Sequence, residues 1–262
     1  MKNPVYPFVA GAALLVYASV TLTQTRALFG FAAWSTLAFW SILLMYLITH
    51  PLRRAVGFVS RAFVRKSRLA LVFPIYLTTH LFAYGFFIES IFALRWGFIS
   101  SASYLFFGYN YSFSPQAWRV AYSFFLNPSI SVVLPLGYGA NLTAYSFFIG
   151  TLDAALVTAN LMQFVSSVGL LRRSGVLVGL PLVSVVSGAG CCISLPTLLG
   201  IISPSVQVLL LTRAGILVEN ALYVLLPASV AFFLWLTFEH MNPIRVKHIM
   251  ASYTRKKNNS ET

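Results

Sequence analysis

The sequence predicts an all-α integral membrane protein of about six transmembrane helices, with a discontinuous fifth helix and both termini cytoplasmic. Three observations carry that expectation. The 262 residues are 58% hydrophobic and only 9% charged, with a mean hydropathy of +0.81, whereas a soluble domain carries about 25% charged residues. Several windows of about 20 residues hold no charge, the length a helix needs to cross a hydrocarbon core. The basic residues, which set a net charge of +13, fall in short segments between apolar runs, the positive-inside pattern. That placement argues against nucleic acid as the partner and for the lipid bilayer of the cell (cytoplasmic) membrane.

Span 1 is expected at 5–23. Lys2 and the apolar run that follows resemble a signal peptide, but Pro4, Pro7 and the length of the run favour an uncleaved first span. Arg26 lies in a short turn, and span 2, 27–49, ends at His50-Pro51, where proline stops a helix. The cytoplasmic loop 50–68 carries six basic residues and no acid between Arg53 and Arg68. Val56, Val59 and Phe63 fall on one helical face, with Arg54, Arg61, Arg65 and Arg68 on another. Such a loop fixes topology, and as an interfacial helix it would contact anionic lipid headgroups.

Span 3 is expected at 69–94, with Arg95-Trp96 at its outer interface. The outer segment 97–140 is aromatic and nearly uncharged. Ser114-Pro115 reads as an N-cap followed by proline in the first turn of a helix that runs to Leu126 and is closed by Asn127-Pro128. This helix either lies on the outer interface as an aromatic belt or dips into the membrane, and the Ser129–Leu136 run is a second candidate to dip. Asn141-Leu142-Thr143 matches a glycosylation sequon. Span 4, 142–171, ends at the basic pair Arg172-Arg173; span 5 covers 175–203; span 6 covers 206–238, broken or bent at Pro227. The tail 239–262 is basic and therefore cytoplasmic. The whole chain, 1–262, reads as one domain.

The fifth span draws the most attention. Ser187-Gly188-Ala189-Gly190 has almost no side chain, and Pro181 and Pro196 each remove a backbone donor. Gly188, Gly190 and Pro196 therefore mark a helix broken near mid-depth, directly beside the two cysteines of the chain, Cys191 and Cys192. Irregular backbone at that depth survives only inside protein or along a water-filled cavity, so the other spans are expected to wrap this one. Adjacent cysteines form only a strained ring, which makes a disulfide framework untenable.

Ionisable groups within spans are costly and mark function by default. Counting inward at the helical rise, Asp153 and Cys192 lie about 17 Å from the outer edge, Glu219 about 20 Å, and His80 about 17 Å from the cytoplasmic edge. Four spans thus bring a thiol pair, two carboxylates and an imidazole to one slab. Thiolates suit a soft ion such as Cu(I), with His80 as a further ligand. Asp153 and Glu219 are candidates for a proton or cation pathway, and Arg213 for their ion-pair partner. His50 and His240, at the inner ends of spans 2 and 6, are too easily a chance pair for haem to be expected.

The run Ser187-Gly188-Ala189-Gly190-Cys191-Cys192, with Pro196 and Leu198-Leu199-Gly200 after it, resembles the vicinal-cysteine membrane segment of mercuric-ion transport proteins. That resemblance covers about a dozen residues and implies that the cysteine pair relays a metal across the bilayer. No nucleophile elbow, phosphate loop, dinucleotide fingerprint or zinc-protease helix is present. The leading expectation is therefore binding or transport of a thiophilic metal or another cation at a midplane site. The alternatives are a non-catalytic subunit of a larger respiratory or export complex, which would bring partner subunits or self-association, and an intramembrane thiol redox protein.

Overall fold

The computed structural model describes residues 5–23, 26–65, 67–83, 104–108, 117–134, 138–168 and 224–240, with isolated positions between 203 and 221. Helix dominates these residues, and three helices are long and apolar enough to cross a membrane. The first two, α1 (Val5–Thr23) and α2 (Phe29–Thr49), pack as a hairpin joined through a 3₁₀ turn at Arg26–Leu28. Their hydroxyls are satisfied within the helix itself: Thr21 donates to the Tyr17 carbonyl at 2.7 Å and Thr36 to that of Ala32 at 2.9 Å. A polar residue bonded in this way adds little cost in apolar surroundings.

The basic loop folds as a helix, α3 (Arg53–Val64). Its buried face is Ala55, Val59 and Ala62, continuing Leu52 before the helix. Of the expected apolar face, Val59 is buried and adds to this packing. Phe63 stays largely exposed and only edges against Phe73 at 6.1 Å, whereas Val56 is half-buried. Small residues let α3 lie close on its neighbours, and a phenylalanine on that face would hold it away. Arg68 is not part of α3. It opens the next helical stretch, a 3₁₀ turn Arg68–Leu71 capped by Ser67, whose hydroxyl accepts from the Leu69 amide. That stretch continues as α4 (Val72–Thr78) and then as a π turn, Thr79–Ala83.

The aromatic outer segment departs from the all-helical expectation. Strands β1 (Tyr104–Gly108), β2 (Ser129–Leu134) and β3 (Tyr138–Thr143) form an antiparallel sheet in the order β1-β2-β3. Ser129 pairs with Thr143 and Leu134 with Tyr138 in the β2–β3 hairpin, and Gly108 pairs with Ser129 across to β1. Between β1 and β2 the expected short helix is present as α5 (Ala117–Leu126). It does not keep to the end of the bundle. Phe124 and Phe125 pack at a tilt against Trp40 at 5.5 and 5.4 Å, and Trp40 lies about 16 Å along α2, close to its midpoint. Tyr17 locks α5 to α1 by donating to the Val120 carbonyl at 2.7 Å and bonding the Ser123 hydroxyl at 2.6 Å.

Strand β3 runs directly into the third long helix, α6 (Ala144–Val168). Thr143 is its N-cap. The Thr143 hydroxyl accepts from the Ser146 amide at 3.0 Å while the Ser146 hydroxyl accepts from the Thr143 amide at 2.8 Å, a reciprocal capping box. The sequon threonine is thus buried in a helix cap, and Asn141 of β3 pairs with Ser131 of β2. Of the three candidate spanning helices, α6 is 67% buried over its apolar window, against 17% for α1 and 28% for α2, so among the described residues the bundle is built around α6. The last described helix, α7 (Val224–His240), buries Pro227, Val230, Ala231, Leu234 and Phe238 along one face and runs unbroken through Pro227. Upstream, Thr212 sits in a bend and accepts from the Gly215 amide at 3.1 Å, an N-cap within the stretch expected to be one span.

Candidate functional site

The most buried helix carries the most polar face. Ser146, Asp153 and Asn160 recur every seven residues on α6, which keeps them on one side of the helix, and Gln163 follows one turn on. All four are buried, with Asp153 at 0% exposure. Burial of this kind is expensive for a carboxyl group, and it places Asp153 in the interior of the bundle, facing away from the apolar exterior.

His80 meets the same helix one turn earlier. It is 1% exposed and sits at the second residue of the π turn, with its ring 6.0 Å from that of Tyr76. Its imidazole fills the notch at Gly150: a Cβ on that glycine would stand 2.7 Å from His80 Cδ2 and 3.2 Å from Nε2. Any side chain at 150 would therefore displace the imidazole. Gly150 precedes Asp153 by three residues, about 4.5 Å of helical rise. An imidazole and a carboxyl group thus share one level of the bundle, on a segment whose helix widens to a π turn, a local geometry that often accompanies functional sites.

Two hydrogen bonds fix α6 against α7. Tyr145 donates its hydroxyl to the Val224 carbonyl at 2.9 Å, and Asn160 Nδ2 donates to the Leu234 carbonyl at 2.9 Å as well as to its own Leu156 carbonyl. Since residue numbers rise together along both helices, α6 and α7 run parallel.

The other end of the bundle carries the arginines of α3. The rings of Tyr6 and His50 approach to 5.7 Å, joining the start of α1 to the end of α2. Arg54 pairs with Glu239 at 3.4 Å, and Phe58 meets Phe238 edge-on at 6.3 Å, setting α3 across the end of α7. Arg61 donates from Nε to the Gly57 carbonyl at 2.9 Å and lies over the Phe58 ring. The two histidines raised for haem are engaged locally. His50 stacks on Tyr46 at 4.7 Å, and His240 Nδ1 is 2.8 Å from the Leu236 carbonyl.

Of the groups expected in the shared slab, His80 and Asp153 are brought within one turn. Cys191, Cys192, Glu219 and Arg213 lie outside the described residues, as do Gly188, Gly190 and Pro196 at the expected helix break. Among the described residues no group of three His, Cys, Asp or Glu side chains converges to hold a metal. Asn160 and Gln163 were not singled out from sequence, although the seven-residue recurrence from Ser146 through Asp153 was the available signal. The chain matches no family model, no curated protein and no solved structure.

Proposed function

We propose that the chain is a six-span protein of the cell membrane that binds and moves a cation, a proton included, through a mid-depth site between spans 3 and 4. Asp153 carries the charge, and His80 beside it acts as a second ligand or proton carrier. The observation that carries the reading is the complete burial of Asp153 within a helix of spanning length, at the level where His80 packs. Intramembrane carboxyl groups facing a bundle interior are the usual components of ion and proton pathways.

The topology draws on the same geometry. Parallel spans 4 and 6 fit a chain that crosses back between them, which is the role assigned to span 5. Arg53, Arg54, Arg61, Arg65 and Arg68 share one end of the bundle with the start of span 1 and the end of span 6, in keeping with a cytoplasmic face for both termini. In this reading the fifth span completes the site. Cys191 and Cys192 supply soft ligands, in line with the resemblance to mercuric-ion transport proteins, and Glu219 and Arg213 supply the remaining charges.

The test is flux into liposomes holding only the purified chain, measured for protons, monovalent cations and Cu(I). Ion movement above that of empty liposomes is the expected result, with Cu(I) movement alone abolished by Cys191→Ser/Cys192→Ser if the thiols are ligands. Silence for every ion would favour the second reading, a non-catalytic subunit of a larger membrane complex. One observation supports that reading: β1 presents Leu105, Phe106 and Phe107 at 74, 58 and 65% exposure on a strand that lies at the edge of the sheet among the described residues. An edge of this kind is a ready template for a partner. Fixed partners retained after mild solubilisation would then be found.

A further inference from the structure

A cavity lies at the arginine-rich end of the bundle, away from His80 and Asp153. It has a volume of about 270 Å³ and is lined by Phe58, Arg61, Ala62, Arg65, Ser67 and Met162. Its walls are the last turns of α3, the cap of the stretch leading into α4, and the final third of α6. Two arginines and one serine therefore contribute to the lining of a cavity whose other lining residues are apolar. Arg61 is held in place from two sides, by its Nε bond to the Gly57 carbonyl and by its position 5.4 Å above the Phe58 ring. Arg54, by contrast, turns away to Glu239 at 3.4 Å, and Arg53 and Arg68 are exposed outside the cavity.

We infer that this cavity seats the phosphate of one anionic phospholipid, with Arg61 and Arg65 as its ligands and Ser67 as a hydroxyl partner. A guanidinium fork matches a phosphate in two parallel hydrogen bonds, and basic pockets between spans on the cytoplasmic side are where lipid headgroups dock. The apolar remainder of the lining, Phe58, Ala62 and Met162, suits the glycerol and upper acyl carbons of a lipid better than a free ion. The inference rests on the membrane reading of the chain but not on ion movement through Asp153 and His80, so the two stand or fall separately.

The experiment is native mass spectrometry of the full chain, purified in detergent and titrated with phosphatidylglycerol, phosphatidylcholine or inorganic phosphate. Wild type is expected to retain one phosphatidylglycerol at least about tenfold more strongly than phosphatidylcholine. Arg61→Gln/Arg65→Gln is expected to lose that preference, while Arg53→Gln/Arg68→Gln, which removes the same charge outside the cavity, keeps it. All these arginines are exposed, and a monodisperse elution profile confirms that each variant is folded. Equal loss in both double variants would reduce the effect to general charge attraction and overturn the site. Equal retention of the two lipids, or inorganic phosphate displacing phosphatidylglycerol at comparable concentration, would overturn it as well.

Discussion

The imidazole of His80 lies in the space that Gly150 leaves empty, with its Cδ2 where a Cβ would stand 2.7 Å away. The contact joins the π turn after α4 to α6 at one turn from Asp153, and it makes a residue without a side chain essential to how the candidate site is assembled. Gly150→Ala is expected to lower stability by about 1–3 kcal/mol, the usual cost of overpacking a filled interior. His80→Ala introduced alongside it should recover part of that loss. Thermal unfolding of the two single variants and the double variant in detergent measures the coupling, and strictly additive losses would deny the contact.

The clamp between α6 and α7 should behave as two independent bonds. Tyr145 and Asn160 are separated by about 22 Å of helix, far enough for their effects to add. Tyr145→Phe and Asn160→Leu are each expected to cost about 0.5–1.5 kcal/mol, and the double variant the sum. A double variant no worse than either single one would mean that only one of the bonds forms.

Trp40 is the hub through which α5 joins the bundle, with Phe124, Phe125, Tyr145 and Phe148 at centroid distances of 4.9 to 5.5 Å. Trp40→Ala should cost about 3–5 kcal/mol, the range for emptying a large aromatic site. It should also loosen α5, raising protease or hydrogen-exchange sensitivity at 117–126 more than at 5–23. Uniform sensitisation along the chain would contradict the hub.

The Arg54–Glu239 ion pair is expected to matter little. The two side chains are 73 and 30% exposed, and exposed pairs contribute at most about 1 kcal/mol. Arg54→Gln should leave the unfolding temperature nearly unchanged at any ionic strength. A large salt-dependent drop would mean that α3 is held electrostatically rather than by Ala55, Val59 and Ala62.

These expectations show which parts of the chain its sequence makes legible. The helices α1, α2 and α6 follow from long apolar runs, interrupted by one acidic residue, Asp153 in α6, since hydropathy and length decide where a helix can cross a bilayer. The sheet does not follow. Tyr138-Gly-Ala-Asn-Leu-Thr in β3 holds Gly and Asn, which are poor strand formers, and its pairing partner Ser129–Leu134 is a short apolar run that reads equally as a helix end. The close-packed side of α3 is only partly legible, because sequence hydrophobicity favours Phe63 beside Val59, whereas close packing also draws in Ala55 and Ala62. The shared level of His80 and Asp153 was visible from residue counting, but Gly150 as the notch that receives the imidazole was not, because a glycine within a helix gives no sign of what stands beside it. Asn160 was passed over because a neutral amide draws less attention than a charge, although its bond to Leu234 reaches a separate helix.

The central claim is that Asp153 carries the moving charge, and the most direct measurement compares ion flux for wild type and Asp153→Asn in liposomes. Asparagine keeps the shape of the side chain and removes its ability to ionise. The account predicts that flux falls at least about a hundredfold while the unfolding temperature and elution profile stay close to wild type. Undiminished flux through Asp153→Asn would contradict it, and Asp153 would then be a structural group of the bundle interior.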